Sequence, residues 1–208
     1  MTSDAKYLHL WTYPTMQKTP NWSRNLFQET IEGGPKFFDL VFPRFVALMF
    51  LAKNAVLDVM AQVAPHDRVV SIEDTTELQC SVQNHVDLLA VGSVSMLDCL
   101  RACMRLKPTR IVVGEVRGAE AHTMLKAWNT GHPGGAATVH ANDALSGLIR
   151  LESLVAEATS APQHTLIAEA VDLVVFVDQE PELIAGRKVR EVALVTGYRE
   201  GRYQVEYV

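Results

Sequence analysis

From Asn54 onward, short apolar runs alternate with segments of helical spacing, and this alternation constrains the fold more than any other feature of the chain. The runs RVVSIED (68–74), HVDLLAV (85–91), RIVVGEV (110–116), GAATVHA (135–141), LVVFVDQ (173–179), REVALVTGY (190–198) and RYQVEYV (202–208) predict strands. Between them, NAVLDVMAQ (54–62), SMLDCLRACMRL (95–106), AEAHTMLKAWNTG (119–131) and ALSGLIRLESLVAEA (144–158) predict helices. Ser95 is placed to cap the second helix and Gly131 to end the third. Strands that are apolar on both faces, separated by helices, predict a mostly parallel α/β sheet covered on both sides. The last two strands, joined by REG, predict an antiparallel hairpin on the sheet edge.

The first fifty residues are different. They hold ten of the fifteen aromatic residues, including six of the seven Phe. Residues 1–64 carry 6 Lys+Arg and 5 Asp+Glu, against 13 and 19 in residues 65–208. WTYPTMQKTPNWSRN (11–25) reads as loop, broken by Pro14 and Pro20, and a helix begins near Pro43. Residues 1–52 are therefore expected to be an atypical segment and residues 53–208 one domain. The apolar stretch FFDLVFPRFVALMFLA (37–52) is interrupted by Asp39, Pro43 and Arg44, which argues against a membrane span. A net charge of −5 argues against a mainly electrostatic nucleic-acid binder. Cys80, Cys99 and Cys103 are odd in number, follow no recognisable secretory leader and lack a histidine at zinc spacing, so reduced core thiols in a cytoplasmic protein are expected.

Three polar clusters fall at the carboxyl ends of predicted strands, where open α/β sheets bind ligands: IEDTTEL (72–78), GEVRG (114–118) and TGHPGGAATVHAN (130–142). Phosphoryl transfer needs groups of these types. One carboxylate orients the water shell of Mg²⁺, a second polarises the attacking water, and arginines balance developing charge. Glu115, Glu77, Arg101, Arg105 and Arg117 supply them. Glu73 reads as a solvated residue at a strand end. His132 and His140 flank a glycine-rich strand entry, with no HExxH or comparable pattern to mark a zinc site.

IEDTTELQ, RIVVGEVRG and AWNTGHPGGAATVHAN together resemble the secretion and conjugation traffic ATPases, in particular their TrbB-type conjugal-transfer branch, over about residues 54–200. The resemblance implies a RecA-like P-loop NTPase domain that assembles as a hexameric ring. It implies ATP and Mg²⁺ as ligands, inner-membrane secretion or conjugation machinery as partners, and a cytoplasmic location peripheral to the inner membrane. Residue by residue, Glu77 resembles the catalytic glutamate of the aspartate box, with Asp74 in support. Glu115 resembles the Walker B glutamate, acting on Mg²⁺ through water. His132 and His140 resemble the histidine-box pair that senses nucleotide state. Arg101, Arg105 and Arg117 resemble family arginines near phosphates or subunit interfaces.

One family element is missing. The phosphate loop GxxxxGK[ST] should stand just before Lys53, yet the chain has no Gly-Lys dipeptide, and GGPK (33–36) lacks the second half of the motif. The change in aromatics and charge motivates the hypothesis that residues 1–52 are foreign to the ATPase, through a frame shift, a wrong start or a gene fusion. Reading the gene in its other two frames checks it. A glycine-rich GK[ST] loop upstream of Asn54 is expected, and its absence from both frames sinks the idea. The expected function is an ATPase motor subunit coupling hydrolysis to translocation, impaired by loss of this loop. The alternatives are a non-catalytic ring subunit acting by protein–protein contact, and a metal-dependent hydrolase using Glu115, His132 and His140.

Overall fold

The computed structural model describes residues 66–179 and 187–208, together with residues 7–11; at 7–11, 179 and 187 only the backbone is described. The helices expected at 54–62 and from Pro43, the apolar stretch 37–52, the GGPK turn and all of the expected loop 11–25 but Trp11, which ends a strand, lie outside the described residues. The strands are β1 (Tyr7–Trp11), β2 (Val69–Glu73), β3 (His85–Leu89), β4 (Arg110–Val113), β5 (Ala136–His140), β6 (Leu173–Gln179), β7 (Arg187–Arg199) and β8 (Arg202–Tyr207). The helices are α1 (Met96–Cys103), α2 (Glu120–Asn129), α3 (Ala144–Ala156) and α4 (His164–Ala170).

One eight-stranded sheet runs in the order β3-β2-β4-β5-β1-β6-β7-β8. The arm β3-β2-β4-β5 is parallel, in the register Ile72↔Val113↔Ala137 across its three inner strands. β1 is antiparallel to both β5 and β6, and β6, β7 and β8 form an antiparallel meander. Six of the eight strands thus point the same way, and β1 and β7 oppose them. The expected C-terminal hairpin is β7–β8.

β1 belongs to the segment expected to stand apart, and it occupies a central slot. Tyr7 pairs with His140 and Val177, and Trp11 with Ala136 and Leu173. The chain therefore leaves β1 at the edge opposite the carboxyl ends of the parallel arm.

The described helices pack on one face. Val70, Ile72, Ile111, Val113, Ala137, Val139, Val174 and Phe176 point into a core that also takes Leu100, Met124, Leu125, Trp128, Leu148, Leu151 and Ile167. Strand alternation sends Val69, Val112 and Ala136 to the other face, where Leu78 and Val82 cover them. Cys99 and Cys103 are buried under α1, and burial pushes the Cys103 thiol up to about 11, in keeping with unreactive core thiols.

Helix ends follow local chemistry. Ser95 and Asp98 form a reciprocal capping box on α1: the Ser95 hydroxyl accepts from the Asp98 amide at 3.2 Å, and Asp98 Oδ2 accepts from the Ser95 amide at 3.0 Å. Asp143 caps α3 by accepting from the Ser146 amide at 2.6 Å, and Glu191 reaches over from β7 to accept from the Ala144 amide at 2.8 Å. α4, a seven-residue helix with no side-chain cap, is not among the sequence expectations.

Trp128 locks α2 to the sheet by donating its indole N–H to the Ile111 carbonyl at 3.1 Å, inside the core. Gly135 passes beneath this contact, where a Cβ would lie 2.1 Å from Trp128 Nε1 and 2.5 Å from the Ile111 carbonyl oxygen. Gly135→Ala should displace the indole and orphan two buried polar groups, costing about 2–4 kcal/mol. Urea unfolding of the two chains checks this, and a loss under about 0.5 kcal/mol, the range of neutral surface changes, contradicts it.

Candidate functional site

β2, β4 and β5 end side by side because their registers align. The Gly114 amide donates to the Ile72 carbonyl at 2.8 Å and the Val116 amide to the Thr138 carbonyl at 2.9 Å. The buried Thr138 hydroxyl donates to the Gly114 carbonyl at 2.6 Å. These bonds carry the chain past the last paired residue of β4 and aim Glu115 into the gap between the ends of β2 and β5.

Four groups meet there. The Glu115 side chain is 9% exposed. Arg117 grips it with two parallel bonds, Nε to Oε1 and Nη2 to Oε2, each 2.8 Å long. The same guanidinium donates through Nη1 to Asp74 Oδ2 at 2.6 Å. His140, at the end of β5, brings Nε2 to 3.1 Å from Glu115 Oε1. Glu77 adds to the field on Arg117, whose pKa is raised first by its hydrogen bonds to Glu115 and then by the charges of Glu115, Asp74 and Glu77. With His140 neutral, three carboxylates and one guanidinium leave the cluster with two net negative charges.

Two residues outside the predicted set hold this arrangement. Glu73, expected to be solvated, is 5% exposed, and its Oε1 accepts the amides of Glu77 at 3.2 Å and Leu78 at 2.9 Å. Glu120, in the first turn of α2, accepts the amides of Arg117 at 2.8 Å and Gly118 at 2.9 Å. Ala119 at the N-cap makes no side-chain hydrogen bond, and Glu120 instead holds the two amides just before the helix, which sets the backbone of Arg117. The signal for Glu73 was an acid on the same strand face as buried Ser71, opposite a glycine; for Glu120 it was an acid in a helix first turn.

The remaining predicted residues lie elsewhere. Arg101 is exposed on α1, 3.9 Å from Asp98, and Arg105 is exposed in the following 3-10 turn. His132 sits in the turn before β5, with Nδ1 3.3 Å from the Ala127 carbonyl oxygen. β5 separates it from His140 by about 13 Å of extended strand. Glu115, His132 and His140 therefore do not converge, and no group of three His, Cys, Asp or Glu able to hold a metal ion directly occurs among the described residues. The carboxylate oxygens of Asp74, Glu77 and Glu115 are the donor type that suits Mg²⁺ held through its own water shell.

A second constellation has the composition of a nucleophile relay but not its geometry. Ser71 and Asp87 hydrogen bond to each other, and both lie 3.0 Å from the same His85 nitrogen, Nε2, with Ser71 fully buried. A relay needs the acid on the other ring nitrogen and an accessible hydroxyl, so this group joins β2 to β3.

Arg117 is the cation that lets Asp74, Glu77 and Glu115 share one edge, and its side chain is 62% exposed. Arg117→Ala should cost about 1–3 kcal/mol even in salt, because it takes two charge-assisted hydrogen bonds from the nearly buried Glu115 carboxylate. At low ionic strength the cost should grow as the carboxylates repel unscreened, and Arg117→Lys should recover part of it. Urea midpoints at low and high NaCl measure this; a salt-independent difference refutes the electrostatic account.

Similarity to known proteins extends over most of the chain. The family profile of type II/IV secretion system proteins matches residues 53–184. The conjugal transfer protein TrbB of Rhizobium radiobacter is 49% identical over 154 residues, covering 74% of this chain and 47% of its own length. VirB11 of Agrobacterium fabrum is 38% identical over 125 residues, covering 54% of this chain and 36% of its own. The VirB11 ATPase of the Brucella suis type IV secretion system, solved with sulphate, superimposes with a TM-score of 0.66 at 26% identity, over 86% of this chain and 57% of that one. The chain spans about half the length of the curated TrbB relatives it matches. With the profile covering well over half of its residues, the chain belongs to the type II/IV secretion system protein family.

Proposed function

We propose that the chain is a RecA-like motor subunit of a conjugal-transfer or type IV secretion ATPase, one that presents the hydrolytic half of a nucleotide site and grips phosphate weakly. The observation that carries this reading is the Asp74–Arg117–Glu115–His140 cluster at the carboxyl edge of the parallel arm. A relative named as a conjugal transfer protein and a solved neighbour named as a type IV secretion ATPase support the transport context. In this reading the subunit works in a hexameric ring, on the cytoplasmic side of inner-membrane machinery. No helix among the described residues is long and apolar enough to cross a membrane.

Each residue then has a role set by its surroundings. Glu115, nearly buried and held by two hydrogen bonds from Arg117, is fixed enough to orient the water shell of Mg²⁺. The metal would supply charge screening of the phosphates. Glu77, at the loop after β2, would accept a proton from the attacking water. His140 shares Oε1 of Glu115 and so responds to the charge on that carboxylate. Arg117, mostly exposed, is free to turn from the carboxylates toward a phosphate.

The phosphate grip is the weak half. The chain has no Gly-Lys dipeptide, and so lacks the lysine-bearing phosphate loop of the family pattern. Each missing amide or Lys contact to a charged phosphate is worth about 1.5–3 kcal/mol, so losing several moves a micromolar site to the millimolar range. The same observation favours the second reading, a non-catalytic ring subunit acting by protein–protein contact. Calorimetric titration with ATP and Mg²⁺ should show no saturation below about 1 mM, and micromolar affinity would overturn the proposed impairment. Hydrolysis at high ATP that Glu115→Gln abolishes supports the motor, whereas no hydrolysis by the wild-type chain leaves the non-catalytic subunit.

A further inference from the structure

We propose that Glu73 is a positioning residue: its buried carboxylate fixes the acid-bearing loop 74–78 and sets its distance from β4 through Gly114. What the positioned acids do rests on the function proposed above, but the positioning itself does not.

A carboxylate at 5% exposure is rare unless something satisfies it. Glu73 Oε1 is satisfied by the chain that follows it, accepting the amides of Glu77 and Leu78 at 3.2 and 2.9 Å. A charged acceptor on consecutive amides is a strong and directional restraint. Leu78 is 7% exposed and packs with Val69, Val82 and Val112 on the face opposite the described helices. The loop is thus anchored twice at its far end, by an apolar side chain and by its own amides, and Glu77 sits between β2 and this double anchor.

Gly114 provides the second restraint. A Cβ there would lie 3.1 Å from Glu73 Cγ and 3.3 Å from its Oε1, tighter than ordinary contact, with the Ile72 carbonyl oxygen at 3.5 Å. The bare glycine lets the Glu73 side chain rest directly on β4, one residue before Glu115. One contact therefore relates the loop that carries Asp74 and Glu77 to the strand end that carries Glu115. Arg117 makes the same connection from the solvent side, where it is 62% exposed and exchangeable. Glu73 makes it from the buried side, where it remains when Arg117 lets go.

Amide hydrogen exchange on the full chain tests this without any ligand. In Glu73→Ala the amides of Glu77 and Leu78 should exchange about tenfold faster or more, as for a lost charge-assisted hydrogen bond, while Ile111–Val113 and Thr138 change less than about twofold. Glu73→Gln keeps an acceptor oxygen and should lie between the two. Wild-type rates at residues 77 and 78 in Glu73→Ala, or an equal rise across β2, β4 and β5, would overturn the positioning role. If Glu73→Ala fails to fold, Glu73→Gln decides: faster exchange confined to 77 and 78 is expected, and unchanged rates there refute the proposal. Any ATP hydrolysis should fall in kcat about tenfold in Glu73→Ala, with the ATP Kd within about twofold. A wild-type chain that hydrolyses no ATP defeats the motor reading and leaves the exchange result to judge Glu73.

Discussion

The parallel pairing of β2, β4 and β5 is the constraint on which the site depends. Val69, Val70, Ile72, Ile111, Val112, Val113 and Ala137 are nearly all within a few percent of full burial, so these strands tolerate polar side chains chiefly at their ends. Because they run the same way in matched register, those ends fall on one edge. Acids from two separate stretches of sequence, Asp74 and Glu115, are thereby brought within hydrogen-bond reach of one guanidinium, and His140 from a third stretch meets Glu115.

Bringing carboxylates together raises their mutual repulsion, and the fold answers it in two ways. Glu73 is buried and occupied by backbone amides, so its charge is held by fixed dipoles. Asp74 and Glu115 share Arg117, a mostly solvent-exposed charge. The first arrangement resists solvent and salt, and the second yields to both. A cluster that combines a rigid frame with a replaceable counter-ion is suited to a ligand that arrives carrying its own cation.

Much of this was legible beforehand, and the exceptions share causes. Strands at 110–116, 135–141 and 173–179 were readable because continuous apolar runs have few other fates, and α1 because Ser95 and Asp98 announce its start. α4 was missed because seven residues without a cap carry too little periodicity. β1 was missed because YLHLW lies in aromatic-rich sequence without a period, and its pairing is with strands more than a hundred residues away. Glu73 was misread because an acid at the end of a largely apolar run looks like a strand meeting water; the amides that bury it belong to its own loop.

The sequence by itself determined the alternation of strands and helices, since apolar period and strand-end polarity are local properties of the chain; its resemblance to the traffic ATPases pointed to the family and nominated Asp74, Glu77, Glu115, Arg117 and His140 as candidates. Only the tertiary structure decided which of the predicted residues meet. His132 and His140 bracket one strand, and five extended residues carry them to opposite edges of the sheet. Arg117 lies 43 positions from Asp74 in the chain and 2.6 Å away in space. The direction of β1 was likewise a tertiary matter, because a strand's composition is the same read up or down, and its neighbours' hydrogen bonds alone set which way it runs.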